Sequence, residues 1–251
     1  MPCHYGGCVP STFSPVLRQC AEEIALAVAD QRHRGYSGQR ETQYHLDLAA
    51  DEVALRVLGG AGFRVVSEES GVTGEGEYTV VVDPIDGSTN CDHGIPFYAT
   101  SLAVLRGEEL VAGLVVNQAT HTYFEAERGA GATRDGVLIT TSQQTDFAKS
   151  IVAFSGLPPR HMGWAQYRAL GAASLEICLV ADGSLDVYGV AAKSTLNPWD
   201  YLGGLLILKE AGGVATDYLG EELITDAMVK RHPVFAASPE LLDVMVAHGQ
   251  I

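Results

Sequence analysis

The 251-residue chain reads as an α/β protein built as a layered sandwich. Three features point there. Helical stretches open the chain, four strands joined by tight turns form a meander through its middle, and strands then alternate with helices to the end. A meander beside alternating strand–helix units buries its apolar faces by stacking sheets and helices in layers. Apolar residues make up 47% and charged residues 19%, the balance of a globular chain and not a disordered one. The expected organisation is a flexible tail over 1–13 and a single domain over 14–251, with lobes of about 14–140 and 141–251.

Each element has its own warrant. Residues 14–33 place Val16, Leu17, Cys20, Ile24, Ala27 and Val28 at helical spacing, with Ser14 as expected cap and Pro15 at the first helical position. A polar loop follows, then a second helix over about 43–58 that stops at Gly59-Gly60. The run "FRVVSEES" gives a short buried strand at 63–66. The meander takes 78–82, 98–105, 110–117 and 121–126, with turns at "RGEE" and "NQAT". "GAGATRDG" lacks the third glycine of a dinucleotide fingerprint and reads as a turn. In the second half, strands are expected at 150–154, 185–190 and 233–238. Helices are expected over about 161–180, over "PWDYLGGLLILKEAGG" and over "PELLDVMVAHG".

Charge and cysteine content exclude several function classes. The formal charge is -15, from 31 acids against 16 bases, and no Lys/Arg cluster occurs, so a nucleic acid polymer is not an expected partner. No apolar run reaches the roughly eighteen residues of a membrane span. The first residues lack the pattern of a secretory signal. Cysteines at 3, 8, 20, 91 and 178 are odd in number, which fits reduced thiols in a cytoplasmic protein. Cys3, His4 and Cys8 could ligate a metal, but a frayed terminus without a second ligand pair is the plainer reading.

The chemistry gathers where strands and helices meet loops. Glu68 and Glu69 follow "FRVVS", Asp83 and Asp86 follow "YTVVV", and Asp200 stands in the first turn of the "PWDYLGG" helix. Singly, each is ordinary loop, turn or helix-start chemistry. Together they suggest a site. Pro84 fixes the turn between Asp83 and Asp86, Gly87 permits positive φ, and Ser88 and Thr89 add hydroxyls where a helix could begin. Amides there suit an anion and the carboxylates suit cations. Crowded carboxylates repel unless a hard divalent ion, Mg2+ above all, holds them.

"VVSEES", "DPIDGSTN" and "PWDYLGGLLILKEAGG" resemble the three signatures of the inositol monophosphatase superfamily, which includes fructose-1,6-bisphosphatases, histidinol phosphatases and 3′-phosphoadenosine phosphatases. The resemblance extends from about residue 14 to 245. It implies an α-β-α-β-α layered fold, a homodimer, and hydrolysis of a small phosphorylated metabolite by water activated on two or three Mg2+ ions. It assigns metal ligation to Glu68, Asp83, the Ile85 carbonyl, Asp86 and Asp200. Glu69 would orient the water, and Asp47 would activate it through a hydroxyl, usually threonine in the family and here Ser88. Asp86, Gly87, Ser88 and Asp200 would also face substrate, flanked by Gly171, Ala172 and Ala173.

The match thins after the next strand. Inositol-cleaving members carry an acid there for ring hydroxyls; this chain has "YGVAAKSTLNP" instead. Lys193 in that stretch could take a second anionic group, or simply be a solvated loop lysine; Arg160 and His161 pose the same choice. The expectation is a phosphomonoesterase for a small polyol or sugar-like phosphate. Alternatives are the same chemistry on histidinol phosphate, fructose 1,6-bisphosphate or a 3′-phosphonucleotide, or a non-catalytic metal- or phosphate-binding protein of the same fold.

Overall fold

A computed structural model describes residues 12–31, 34–40 and 42–249 of the chain. Most of the 1–13 tail, with Cys3, His4 and Cys8, lies outside the described residues. Phe13 packs its ring against Phe63 and Tyr78, with centroids 6.5 and 5.1 Å away.

Helical spacing of apolar residues makes α1 (Ser14–Asp30) and α2 (His45–Gly60), which bury Leu17, Cys20 and Ile24, and Leu46, Ala50, Ala54 and Leu58. The first sheet contains β1 (Arg64–Ser67), β2 (Gly71–Thr73), β3 (Thr79–Asp86), β4 (Ala99–Arg106), β5 (Glu109–Asn117), β6 (Thr122–Glu127), β7 (Ala132–Arg134) and β8 (Val137–Ile139). Its spatial order is β2-β1-β3-β4-β5-β6-β7-β8, and β1 and β3 run parallel. A short helix α3 (Ser88–His93) joins β3 to β4.

The rest of the chain builds a second sheet and three helices. In chain order these are β9 (Ile151–Ser155), β10 (Gln166–Arg168), α4 (Ala173–Ala181), β11 (Val187–Val190), α5 (Pro198–Glu210), β12 (Val214–Asp217), β13 (Pro233–Ala236) and α6 (Pro239–His248). The order is β10-β9-β11-β13-β12, with β9, β10 and β11 mutually parallel. No helix among the described residues is long and apolar enough to cross a membrane.

Strand periodicity explains the layering. Successive side chains of a strand face opposite ways. Val65, Val80, Val82, Leu102, Val104, Leu114 and Val116 face the core under α1 and α2. Their neighbours Val66, Val81, Ala103 and Val115 face a second core shared with α4, α5 and the second sheet. Beyond that sheet, Gly189 leaves room for Met245 of α6, whose methyl lies 3.5 Å from where a Cβ would stand. The layers are therefore α1/α2, first sheet, α4/α5, second sheet, α6. A layered α/β fold was expected, and this is its arrangement.

The central layer sits unusually close to the first sheet. A Cβ on Gly113 of β5 would meet the Gly203 carbonyl of α5 at 2.7 Å, and one on Gly203 would meet Ser101 Oγ at 2.9 Å. The Gly-Gly pair of α5 also admits Ile177 of α4, 2.9 Å from a Cβ on Gly204. α4 follows β10 and α5 follows β11 through short connections, so the N-termini of both helices start from the C-terminal ends of those parallel strands.

Several expectations are corrected. Residues 161–180 are not mainly helical: the helix begins at Ala173, while 166–168 pair with β9. Gly163 (φ 110°) and Gly171 (φ 88°) adopt backbone that a helix cannot contain. "GAGATRDG" is more than a turn, because it enters the β7–β8 hairpin, which reverses at Asp135 and Gly136 with φ 50° and 78°. Ser14 does not cap α1; its hydroxyl donates to Glu125 (2.7 Å). Cys20, Cys91 and Cys178 are buried free thiols.

The tight α5–β5 contact is testable. Gly113→Ala should destabilise the protein by about 1–3 kcal/mol through overpacking against a backbone carbonyl, read as a lower urea midpoint at unchanged m-value.

Candidate metal centre

The first carboxylates come from adjacent strand ends. β1 and β3 pair in parallel through Ser67 and Val82, and the Glu68 amide donates to the Val82 carbonyl (3.3 Å). Glu68 and Asp83 thus leave the sheet side by side. Asp83 Oδ1 accepts from the Ile85 amide (3.0 Å), and Thr100 Oγ1 donates to the Pro84 carbonyl (2.9 Å), which stiffens the turn.

Three residues apart, Asp83 and Asp86 would face opposite ways in a regular strand. The β3–β4 register slips between them: Asp83 opposes Ser101 and Asp86 opposes Ala99, so three steps on one strand meet two on the other. Such a bulge re-aims a side chain. Asp86 is thereby directed at the N-terminus of α4, where it accepts from the amides of Ala173 (3.1 Å) and Ser174 (2.7 Å) and from Ser174 Oγ (2.5 Å).

Asp200 arrives on α5. As the third residue of α5 it forms a capping box, its Oδ2 accepting from the Asn197 amide (2.7 Å). Ligand oxygens of Glu68, Asp83 and Asp200 lie within 4.8 Å of one another. At an effective dielectric of 20, each such charge pair repels by roughly 3–4 kcal/mol or more. Burial, followed by the neighbouring acids, pushes the Glu68 and Asp83 carboxyls well above their ordinary range. Burial, then the Asp86 charge, lifts Asp200 to about 7. Burial lifts Asp86 only to about 6, because the Ser174 and Ala173 donors favour its anion.

Asp47 repeats the capping logic in α2. Its Oδ2 accepts from the Tyr44 amide (2.8 Å), and burial raises its carboxyl to about 7. Asp47, Glu68, Glu69 and Ser88 line one cleft of about 160 Å³ with Arg40, Thr42, Gln43 and Thr89. Among the described residues Asp47 does not bond Ser88; the Tyr44 hydroxyl instead reaches Thr89 Oγ1 (3.2 Å). Gly87 has φ 83° and precedes α3, and a Cβ there would meet the Gly171 carbonyl at 2.8 Å and Ala172 Cβ at 3.1 Å. Gly171 and Ala172 therefore abut the Gly87 turn, and Ala173 donates to Asp86 just before it. The Ile85 side chain is buried in the outer core, so any role in the site falls to its backbone.

Of the expected site residues, Lys193 is the one that stands apart. It is exposed on the turn after β11 and makes no ion pair among the described residues. Arg160 and His161 are likewise exposed, with the His161 ring on the Trp164 carbonyl (2.9 Å). Several participants were not singled out from sequence: Arg40, Gln43, Ser174, and Glu176, whose buried carboxylate accepts from the Leu170 amide (3.0 Å) and is raised by burial to about 8.

The donor set is all oxygen and mostly carboxylate, with no sulfur or imidazole in the cluster. That suits a hard cation such as Mg2+ or Ca2+ better than Zn2+. Raised proton affinities carry the same message, since these groups lack the positive charge that would stabilise them together.

Comparison with known proteins agrees. The model of the inositol monophosphatase family matches residues 11–249. A "fructose-1,6-bisphosphatase/inositol-1-monophosphatase" of Thermococcus kodakarensis is 33% identical over 210 residues, 80% of each chain. One of the same description from Archaeoglobus fulgidus is 32% identical over 247 residues, covering 92% of this chain and 96% of its own. A crystal structure described as an inositol monophosphatase-fructose 1,6 bisphosphatase superposes with a TM-score of 0.82 at 28% identity, over 94% of this chain and 99% of that one. By motif, fold and full-length similarity, the chain belongs to the inositol monophosphatase family of phosphatases.

Proposed function

We propose that this phosphatase is Mg2+-dependent and hydrolyses the phosphate monoester of a small polyol or sugar. The observation carrying the reading is the convergence of Glu68, Asp83 and Asp200 oxygens within 4.8 Å, in reach of the cleft that Asp47, Glu69 and Ser88 line. The relatives described as fructose-1,6-bisphosphatase/inositol-1-monophosphatase support the substrate class.

Glu68, Asp83 and Asp200, with Asp86 and the Ile85 carbonyl, would hold two or three Mg2+ ions. Bound there, Mg2+ would neutralise phosphate charge and acidify a nearby water. The chain's own groups do the rest. Amides of Gly87 and Ser88 bind a phosphate oxygen. Glu69 orients the attacking water, and Asp47, with the Ser88 hydroxyl, takes its proton. The water's P–O bond forms as the ester P–O bond breaks, and the leaving oxygen departs on the Asp86 and Asp200 side. Gly171, Ala172 and Ala173 flank the substrate. A homodimer in the cytoplasm is part of the same proposal.

Phosphate release from a panel of inositol phosphate, fructose 1,6-bisphosphate, histidinol phosphate and a 3′-phosphonucleotide, with and without chelator, tests the reading. Chelator-sensitive release from a polyol or sugar phosphate of the panel is expected; no release from any member would favour a non-catalytic binding protein. Asp83→Asn should lower kcat/KM by roughly a thousandfold and weaken Mg2+ binding in calorimetry, with the circular dichroism spectrum retained.

The raised carboxyls also set a pH dependence. Each takes its proton more readily folded than unfolded, so its contribution is complete below the unfolded value near 4 and is lost as pH rises through about 6–8. Chelated protein should therefore melt at lower temperature at pH 8 than at pH 5. Mg2+ at a hundredfold its Kd should add about 2.7 kcal/mol at pH 8. Asp200→Asn should raise the melting temperature of chelated protein at pH 8, where it removes a buried charge.

A further inference from the structure

The loop between α1 and α2 carries a cation into the rim of the acidic cleft. Arg40 donates from Nη1 to the Glu68 carbonyl (3.3 Å) and from Nη2 to the Glu69 carbonyl (2.5 Å). The same Nη2 reaches Glu69 Oε2 (2.6 Å), and Gln43 Nε2 donates to that oxygen as well. Gln43 is itself held from behind, its Oε1 accepting from Ser37 Oγ (3.0 Å) and its carbonyl from the Ser37 amide (2.7 Å). Among the described residues no donor reaches Glu69 Oε1.

This differs from an ordinary surface ion pair. The Glu69 side chain is 8% exposed while Arg40 is 50% exposed, so the carboxylate is the enclosed partner. Asp47 and Glu68 line the same cleft and would repel Glu69 from it. One planar guanidinium spans two successive backbone carbonyls and the carboxylate, a fork that a lysine cannot reproduce.

We propose that Arg40 is a positioning residue that straps the loop over the mouth of the metal centre and pins Glu69 by Oε2, so that Oε1 alone is presented to the attacking water. This rests on the phosphatase reading above. Arg40 touches neither substrate nor the reacting atoms; it acts through Glu69, and its loss leaves Gln43 as the carboxylate's one remaining side-chain donor among the described residues and loosens the loop.

The test compares wild type with Arg40→Gln and Arg40→Lys, using the full chain in Mg2+ and whichever panel substrate releases most phosphate. Amide hydrogen exchange over 36–44 is followed in parallel on chelated protein. Arg40→Gln should lower kcat by about ten- to a hundredfold while KM moves by less than about threefold, and should speed exchange over 36–44. Arg40→Lys should recover part of kcat. A raised KM at unchanged kcat would mean that Arg40 binds substrate and would overturn the proposal, as would unchanged exchange in Arg40→Gln. If wild type releases no phosphate, the phosphatase reading fails, and exchange alone decides whether Arg40 straps the loop.

Discussion

Like charge held at close quarters is the constraint around which this molecule is arranged. Glu68, Asp83 and Asp200 bring oxygens within 4.8 Å of one another, and each is displaced toward its protonated form by burial and by its neighbours. Left to themselves, such groups would swing apart or take up protons. They remain together because each is carried on backbone that is rigid for independent reasons. Glu68 and Asp83 follow two parallel, hydrogen-bonded strands. Asp200 is fixed by its own capping box.

The middle helical layer supplies part of the compensation. Close packing at Gly113, Gly203 and Gly204 seats α5 on the first sheet and on α4. The N-termini of both helices then face the acids, where the partial positive charge of a helix start favours anions. Asp86 shows the local consequence, taking three donors from Ala173 and Ser174 and shifting less than Asp200. Donors of this kind offset desolvation without cancelling the charge on the cluster. A cluster of buried carboxylate oxygens arranged in this way suits a hard cation.

Much of this was legible in the chain. Helical spacing of apolar residues identified α1, glycines marked the end of α2, Pro and Gly-Gly bounded α5, and β-rich runs between tight turns identified the meander. α5 and the meander strands β3, β4 and β5 are buried almost throughout, so no period marked them. The acids stood out because charge directly after a β-rich run needs a reason. The failures have physical causes too. The stretch before α4 looks helical by composition, yet Gly163 and Gly171 adopt positive φ and a short strand pairs with β9. The β7–β8 hairpin has strands of only three residues, too short for a period to register. Arg40 looked like one more polar loop residue, since its partners Glu68 and Glu69 are remote in sequence.

By itself the sequence determined the kind of chemistry: oxygen donors without sulfur or imidazole, a turn containing proline and glycine, and helix starts with an acid at the third position. These are local properties, set by side-chain identity and by backbone conformations reachable within a few residues. Only the tertiary structure decided that acids from two neighbouring strands and a helix start meet, that a bulge directs Asp86 to α4, and that Arg40 pairs with Glu69. Those outcomes depend on register, layer spacing and close glycine contacts, which are sums over many weak interactions between distant segments and leave no signature in any short stretch of the chain.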